Sequence, residues 1–226
     1  MRTQSDSSPG HPRVAGPQVS RTYFLIGLIV VLGLFFRIGY NLALHTDGHP
    51  PSSFVIDERE YFGAAHVLAE GRGFSFFDTA LWVRPPLYVL FLALFAGLFG
   101  SNTLPVMVAQ SVLSAATLLP LAWLASLLGG PRAALATAIL GTLYLPFTLF
   151  AGLLLSETIF TFLFSLLLVT LVLAQRALGE AAFRPALGWA AAAGALLGLC
   201  ALTRSTSLAF LPLAAGWLFW AGARGT

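Results

Sequence analysis

Beyond residue 86 the chain is almost unbroken apolar sequence, which restricts it to folds built in a bilayer. A helix needs about 20 consecutive apolar residues, rising about 1.5 Å each, to cross the hydrocarbon core. Stretches of that kind lie at 22–44, 104–128, 133–155, 157–175, 186–203 and 206–223. The run 87–99 (LYVLFLALFAGLF) is short for a crossing and has the length of a re-entrant or interfacial helix. Composition agrees, with 58% of residues hydrophobic and 9% charged, against roughly 25% charged in soluble domains. The expected fold class is all-α integral membrane. It is a polytopic bundle of about six transmembrane helices with a large first external loop carrying juxtamembrane helices.

The net charge of +3 comes from twelve basic residues, all arginine and scattered singly. Such spacing does not indicate a nucleic-acid partner. Cys200 is the only cysteine, so no disulfide forms within the chain. Residues 1–21 are polar and rich in Ser, Pro and Gly, and read as a disordered cytoplasmic tail. Residues 22–226 then form the membrane domain, and its first apolar run reads as a retained signal anchor.

Arg2, Arg13 and Arg21 precede that run, so the positive-inside bias puts the N-terminus in the cytoplasm. Residues 45–103 become the external loop, with 87–99 as a short interfacial helix inside it. Arg132, Arg176, Arg184 and Arg224 then fall in the cytoplasm. Were 87–99 to cross, all four would lie outside, against the same bias. Without that crossing, Asp57, Glu58, Arg84, Glu157 and Arg204 converge on the outer face. Pro120 and Pro146 are expected to kink their helices.

Six of the nine acidic residues fall within 45–85: Asp47, Asp57, Glu58, Glu60, Glu70 and Asp78. Ionisable groups are costly in lipid and tend to mark function. From Asp57 onward, Tyr61, Ala65 and Leu68 share one helical face, as in an amphipathic helix lying on the membrane surface. Gly71 and Gly73 would end it. Asp57 sits where an N-cap would, with Glu60 at capping-box distance. The same place at a fixed helix start also suits a general base acting on a hydroxyl.

Arg84 precedes Pro85 and Pro86, which start the short helix. It reads either as an interfacial arginine whose head reaches water or as a phosphate clamp. Glu157 opens a span, where the helix dipole alone would favour a carboxylate. Arg204 separates two apolar runs among hydroxyl side chains, either as an ordinary helix-end arginine or as an anion ligand. His45, His49 and His66 lie in or near the loop without a metal-ligand spacing. A divalent metal is conceivable but not indicated.

Taken in order, FFRIGY, DEREYFGAAHVLAEGRGF, RPPLY, LLSETIF and GALLGLCALTRSTSLAFLPLA resemble the GT-C membrane glycosyltransferases. The likeness is to the protein O-mannosyltransferase and aminoarabinose transferase group and to their bacterial relatives that resemble the lipopolysaccharide galacturonosyltransferases. It runs from about residue 23 to 222. The resemblance implies a hexosyl- or pentosyltransferase whose donor is a sugar on a polyprenyl phosphate. Its acceptor would be a lipid, glycan or protein, and it would work among membrane lipids with no nucleic acid. By the same likeness Asp57 is the catalytic acid, with Glu58 adjacent. Arg84 and Arg204 bind the lipid phosphate, and Glu157, Tyr61 and Tyr88 support the site. Some relatives carry a metal-binding acid just before the basic-Pro pair; Val83 stands there in this chain, so that metal site is not expected. The family usually continues through further spans, so the chain reads as an N-terminal half, truncated at its C-terminus. The rival readings are a transporter-like or other non-catalytic lipid binder, and an inactive fragment of a transferase.

Overall fold

The computed structural model describes residues 17–44, 56–73 and 84–225. Asp47, Asp78, His45, His49, Val83 and most of the polar tail lie outside them. Among the described residues the regular structure is helical. In chain order it comprises α1 (Pro17–Leu44), α2 (Ile56–Ala69), α3 (Pro86–Phe99), α4 (Leu104–Ala116) and α5 (Leu118–Leu143). These are followed by α6 (Leu145–Ala151), α7 (Glu157–Gly179), α8 (Phe183–Thr203), a 3-10 turn (Ser205–Phe210) and α9 (Leu211–Gly225).

Five runs are long and apolar enough to cross a membrane: Ser20–Leu44, Leu104–Leu143, Glu157–Gly179, Phe183–Thr203 and Ser205–Ala223. As a straight rod, the 40 residues of the second run would measure about 60 Å, twice the hydrocarbon thickness. The run is not straight. Gly130 lies at φ 78° and ψ −173°, outside the helical region, and Pro131 follows it. Leu118 and Gly141 would stand about 35 Å apart along an unbroken helix. Instead, a Cβ placed on Gly141 would come 2.5 Å from Leu118 Cδ2. Ala122, Ala134 and Ala138 share one buried cluster with Ile26 of α1. The two arms of α5 therefore fold back antiparallel about Gly130, as the separate expected spans 104–128 and 133–155 require.

The second of those spans is not the continuous helix expected. It stops at Leu143, Tyr144 adopts φ −72° and ψ 95°, and α6 resumes with Pro146 in its first turn. Residues 152–156 are not helical. Pro146 has no N–H to offer the carbonyl four residues back, so the ladder breaks there. Pro120 acts more mildly: the ladder is interrupted between α4 and α5, while Thr117 at the junction keeps helical angles (φ −57°, ψ −28°).

Helix α3 begins as expected, with Pro86 at a position that needs no N–H donor. Its 14 residues reach about 21 Å, short of a crossing. The apolar face of α2 has a protein partner: Tyr61, Ala64 and Ala65 are buried in one cluster with Tyr88, Val89 and Leu92 of α3. Two short helices bury apolar area better against each other than either does alone at an interface. Gly71, at φ 74°, closes α2, and the Arg72 N–H reaches back to Val67 O (3.1 Å). That left-handed turn is one glycine adopts without penalty.

One buried cation staples the bundle. Arg37 of α1 is fully buried. It donates to Ser114 Oγ of α4 (3.0 Å), to Gly33 O on its own helix (3.0 Å) and to Gly141 O of the returning arm (3.2 Å). One turn on, Asn41 donates to Ser111 Oγ (3.1 Å). At the opposite end of the bundle, Arg176 of α7 donates to Leu127 O beside the Gly130 turn.

Candidate active site

The loop 152–156 joins α6 to α7 and is held from several sides. Gln110 of α4 donates to Ala151 O (3.1 Å) and Leu153 O (2.8 Å). Tyr88 of α3, fully buried, donates to Gln110 Oε1 (2.7 Å) and so fixes the direction of that amide. Burial first, then the charges of nearby acidic groups, pushes the Tyr88 phenol well above its ordinary pKa, which keeps its proton available for this bond. Glu58 of α2 is buried and accepts a hydrogen bond from the Leu154 N–H (2.9 Å).

These contacts present Ser156 and Glu157 to an open pocket of about 240 Å3. The pocket is lined by Asp57 and Tyr61 of α2, Arg84, Glu157 and Arg204, among others. Residues far apart in sequence thus meet at one end of the bundle. Arg84 bridges two acids: Nη2 pairs with Asp57, and Nε donates to Glu60 Oε2 (2.6 Å). Its guanidinium also lies over the Tyr61 ring, 5.2 Å from the centroid. Burial is the largest single influence on Arg84 and lowers its pKa; the hydrogen bonds and charges of Glu60 and Asp57 together outweigh it and raise the pKa above its ordinary value. Arg84 therefore stays charged at any physiological pH.

A second ion pair closes the other side. Arg204 Nη1 meets Glu157 Oε1 at 2.8 Å. Glu157 is in the first turn of α7, and Arg204 is extended (φ −149°, ψ 107°) between α8 and the 3-10 turn. Tyr61 donates weakly to Ser156 Oγ (3.4 Å) and meets Tyr88 edge-on, with centroids 4.8 Å apart. An apolar groove of about 180 Å3 adjoins the pocket and shares Glu157 with it. Its other walls include Tyr144, Pro146, Phe147 and Phe150.

The expected site residues divide into two groups. Asp57, Tyr61, Arg84, Glu157 and Arg204 line the pocket. Glu58 and Tyr88 do not; they hold the surrounding loops. The capping-box reading also gives way. Asp57 lies inside the first turn of α2, and the Glu60 carboxylate turns to Arg84. An ion pair with a guanidinium is the stronger attraction for both acids. Sequence reasoning missed Gln110, Ser156 and Glu60 as site members and Arg37 as the staple. Gln110 and Arg37 carry a usable signal, since strongly polar side chains inside apolar runs seldom lack a role. Among the described residues no group of His, Cys, Asp and Glu side chains gathers as a metal centre would.

Glu58→Ala is expected to leave the buried Leu154 N–H unpaired and cost about 1–3 kcal/mol. Glu58→Gln keeps an acceptor oxygen and should recover most of that loss. Thermal unfolding of the purified variants in detergent would measure both.

Apolar helices packed into a bundle, with a charged pocket at one end, define a multi-pass membrane protein. The family model for dolichyl-phosphate-mannose-protein mannosyltransferases matches residues 83–226, and the chain belongs to that family. It is thereby a GT-C-like membrane glycosyltransferase. The matched segment contains Arg84, Glu157 and Arg204 and begins after Asp57. No curated protein and no solved structure matched the chain.

Proposed function

We propose that the chain transfers a hexosyl or pentosyl group from a polyprenyl phosphate to a hydroxyl on a lipid, glycan or protein. The observation that carries this reading is the meeting of Asp57, Arg84, Glu157 and Arg204 around one pocket. In this reading Asp57 takes the proton of the acceptor hydroxyl as its oxygen attacks the anomeric carbon. The bond from that carbon to the phosphate oxygen breaks, and polyprenyl phosphate leaves with the electron pair. Arg84 and Arg204 hold the phosphate and stabilise the charge that grows on it. Glu157 orients Arg204. A single displacement of this kind inverts the anomeric centre.

The adjoining groove supplies a place for the donor's hydrocarbon, with the polar head on one side of Glu157 and the chain on the other. The setting is the cytoplasmic membrane, with the N-terminus in the cytoplasm and the pocket at the external face. Six crossings follow if both arms of α5 span the membrane and α3 does not. The reversal at Gly130 and the shortness of α3 support that count.

The arginines provide the test. A lost hydrogen bond to a charged group costs about 1.5–3 kcal/mol, which is roughly 10- to 100-fold in affinity. Arg84→Ala and Arg204→Ala should each raise the donor KM by about that factor in proteoliposomes supplied with a polyprenyl-phosphate sugar. If neither variant changes the donor dependence, the pocket is not the donor site.

A further inference from the structure

Both arginines of the pocket already hold acids. Arg84 has Asp57 and Glu60, and Arg204 has Glu157. An incoming phosphate that approaches the Nη2 edge of Arg84 competes with Asp57 for it. The two acids on Arg84 are not equivalent. Asp57 lines the pocket and its side chain is 55% exposed, so water can take over its hydrogen bonds cheaply. Glu60 is 28% exposed, is not part of the pocket lining, and binds the Nε edge from behind.

We infer that Arg84 is exchanged between Asp57 and the donor phosphate, while Glu60 keeps the guanidinium in place throughout. The inference rests on the proposed function above. Arg84 holds the carboxylate that the proposed reaction needs as its base. A phosphate arriving from the pocket meets the Nη2 edge, takes Asp57's place there, and frees the carboxylate for the acceptor hydroxyl. Nε stays on Glu60, so the guanidinium plane does not swing. Donor binding thereby arms the base, and the acceptor reacts only after the donor is seated. Glu60 acts in this scheme as a positioning residue that touches neither sugar nor acceptor. The Tyr61 ring beneath the guanidinium limits its motion in the same sense.

The exchange makes opposite demands on two acids of equal charge, located on the same helix. Binding of undecaprenyl phosphate, which carries no sugar, would be measured on the purified full chain in detergent. Asp57→Asn keeps an acceptor but removes the charge that competes for Arg84, and should tighten binding about 2- to 5-fold, the scale of a partly exposed ion pair. Glu60→Gln loosens the arginine and should weaken binding by a similar factor. In turnover assays Glu60→Gln should raise the donor KM while keeping kcat at saturation, a split that general loss of structure would not give. Equal tightening by both variants would mean simple charge repulsion and overturn the exchange. Unchanged or weaker binding by Asp57→Asn would overturn it as well. Asp57→Ser provides the same test should the asparagine variant not fold. No binding by the wild-type chain would remove the proposed function, and the exchange with it; intact binding with the wrong pattern removes the exchange alone.

Discussion

Asp57→Asn is expected to lower sugar transfer by at least about 100-fold, at the modest end of what a positioned general base contributes. The substitution keeps the size of the side chain and leaves an oxygen that can still accept from Arg84. Helix α2 is therefore expected to remain docked on α3 through Tyr61, Ala64 and Ala65, none of which the change touches. The measurement is turnover of a polyprenyl-phosphate sugar in proteoliposomes, on protein that stays monodisperse and unfolds near the wild-type temperature. Full activity in such a sample would remove Asp57 from the reaction. Glu58 is the informative neighbour. It is the adjacent acid in sequence, yet its carboxylate is buried on the Leu154 N–H. Its loss should appear first in stability, whereas that of Asp57 should appear first in rate.

The second large effect concerns Arg37, which does not line the pocket. Arg37→Ala should destabilise the bundle by about 3–5 kcal/mol, the range for emptying a large buried side-chain volume. Helix α1, α4 and the returning arm of α5 would lose their shared staple. Arg37→Met distinguishes packing from charge. Methionine keeps much of the buried volume and removes both the desolvation cost of the charge and its hydrogen bonds. If Arg37 works mainly by filling space, methionine should restore most of the unfolding temperature in detergent. If methionine is as damaging as alanine, the hydrogen bonds to Ser114 and Gly141 carry the effect.

The long apolar runs made the membrane class readable, because a crossing has a minimum length that few soluble helices imitate. The separation of 104–128 from 133–155 was also readable, since two glycines and a proline stand between them. Charge placement suggested that Asp57, Arg84, Glu157 and Arg204 share a face, and they meet around one pocket. Other features depend on partners that no local pattern reveals. Residues 133–155 read as one helix because hydropathy is blind to the break at Tyr144. An amphipathic helix reads the same whether its apolar face meets lipid or α3, and only tertiary packing places Tyr61 against Tyr88. The Asp57 and Glu60 spacing matches a capping box, yet their carboxylates turn to an arginine more than twenty residues away. The roles of Glu58 and Asp57 were inseparable in sequence because they are neighbours. On a helix, adjacent side chains point about 100° apart, and here one faces the pocket while the other faces the protein.

The turn at Gly130 has a consequence for the whole architecture. If both arms of α5 cross the bilayer, as proposed above, it fixes the parity of the chain: with the reversal, Glu157 and Arg204 return to the side where α2 and Arg84 wait. Were the arms of α5 to straighten into one rod, every later element would be delivered to the opposite leaflet, and the two ion pairs would be parted by the thickness of the bilayer. A glycine that touches no pocket residue thus decides whether the two halves of the pocket are ever in the same compartment.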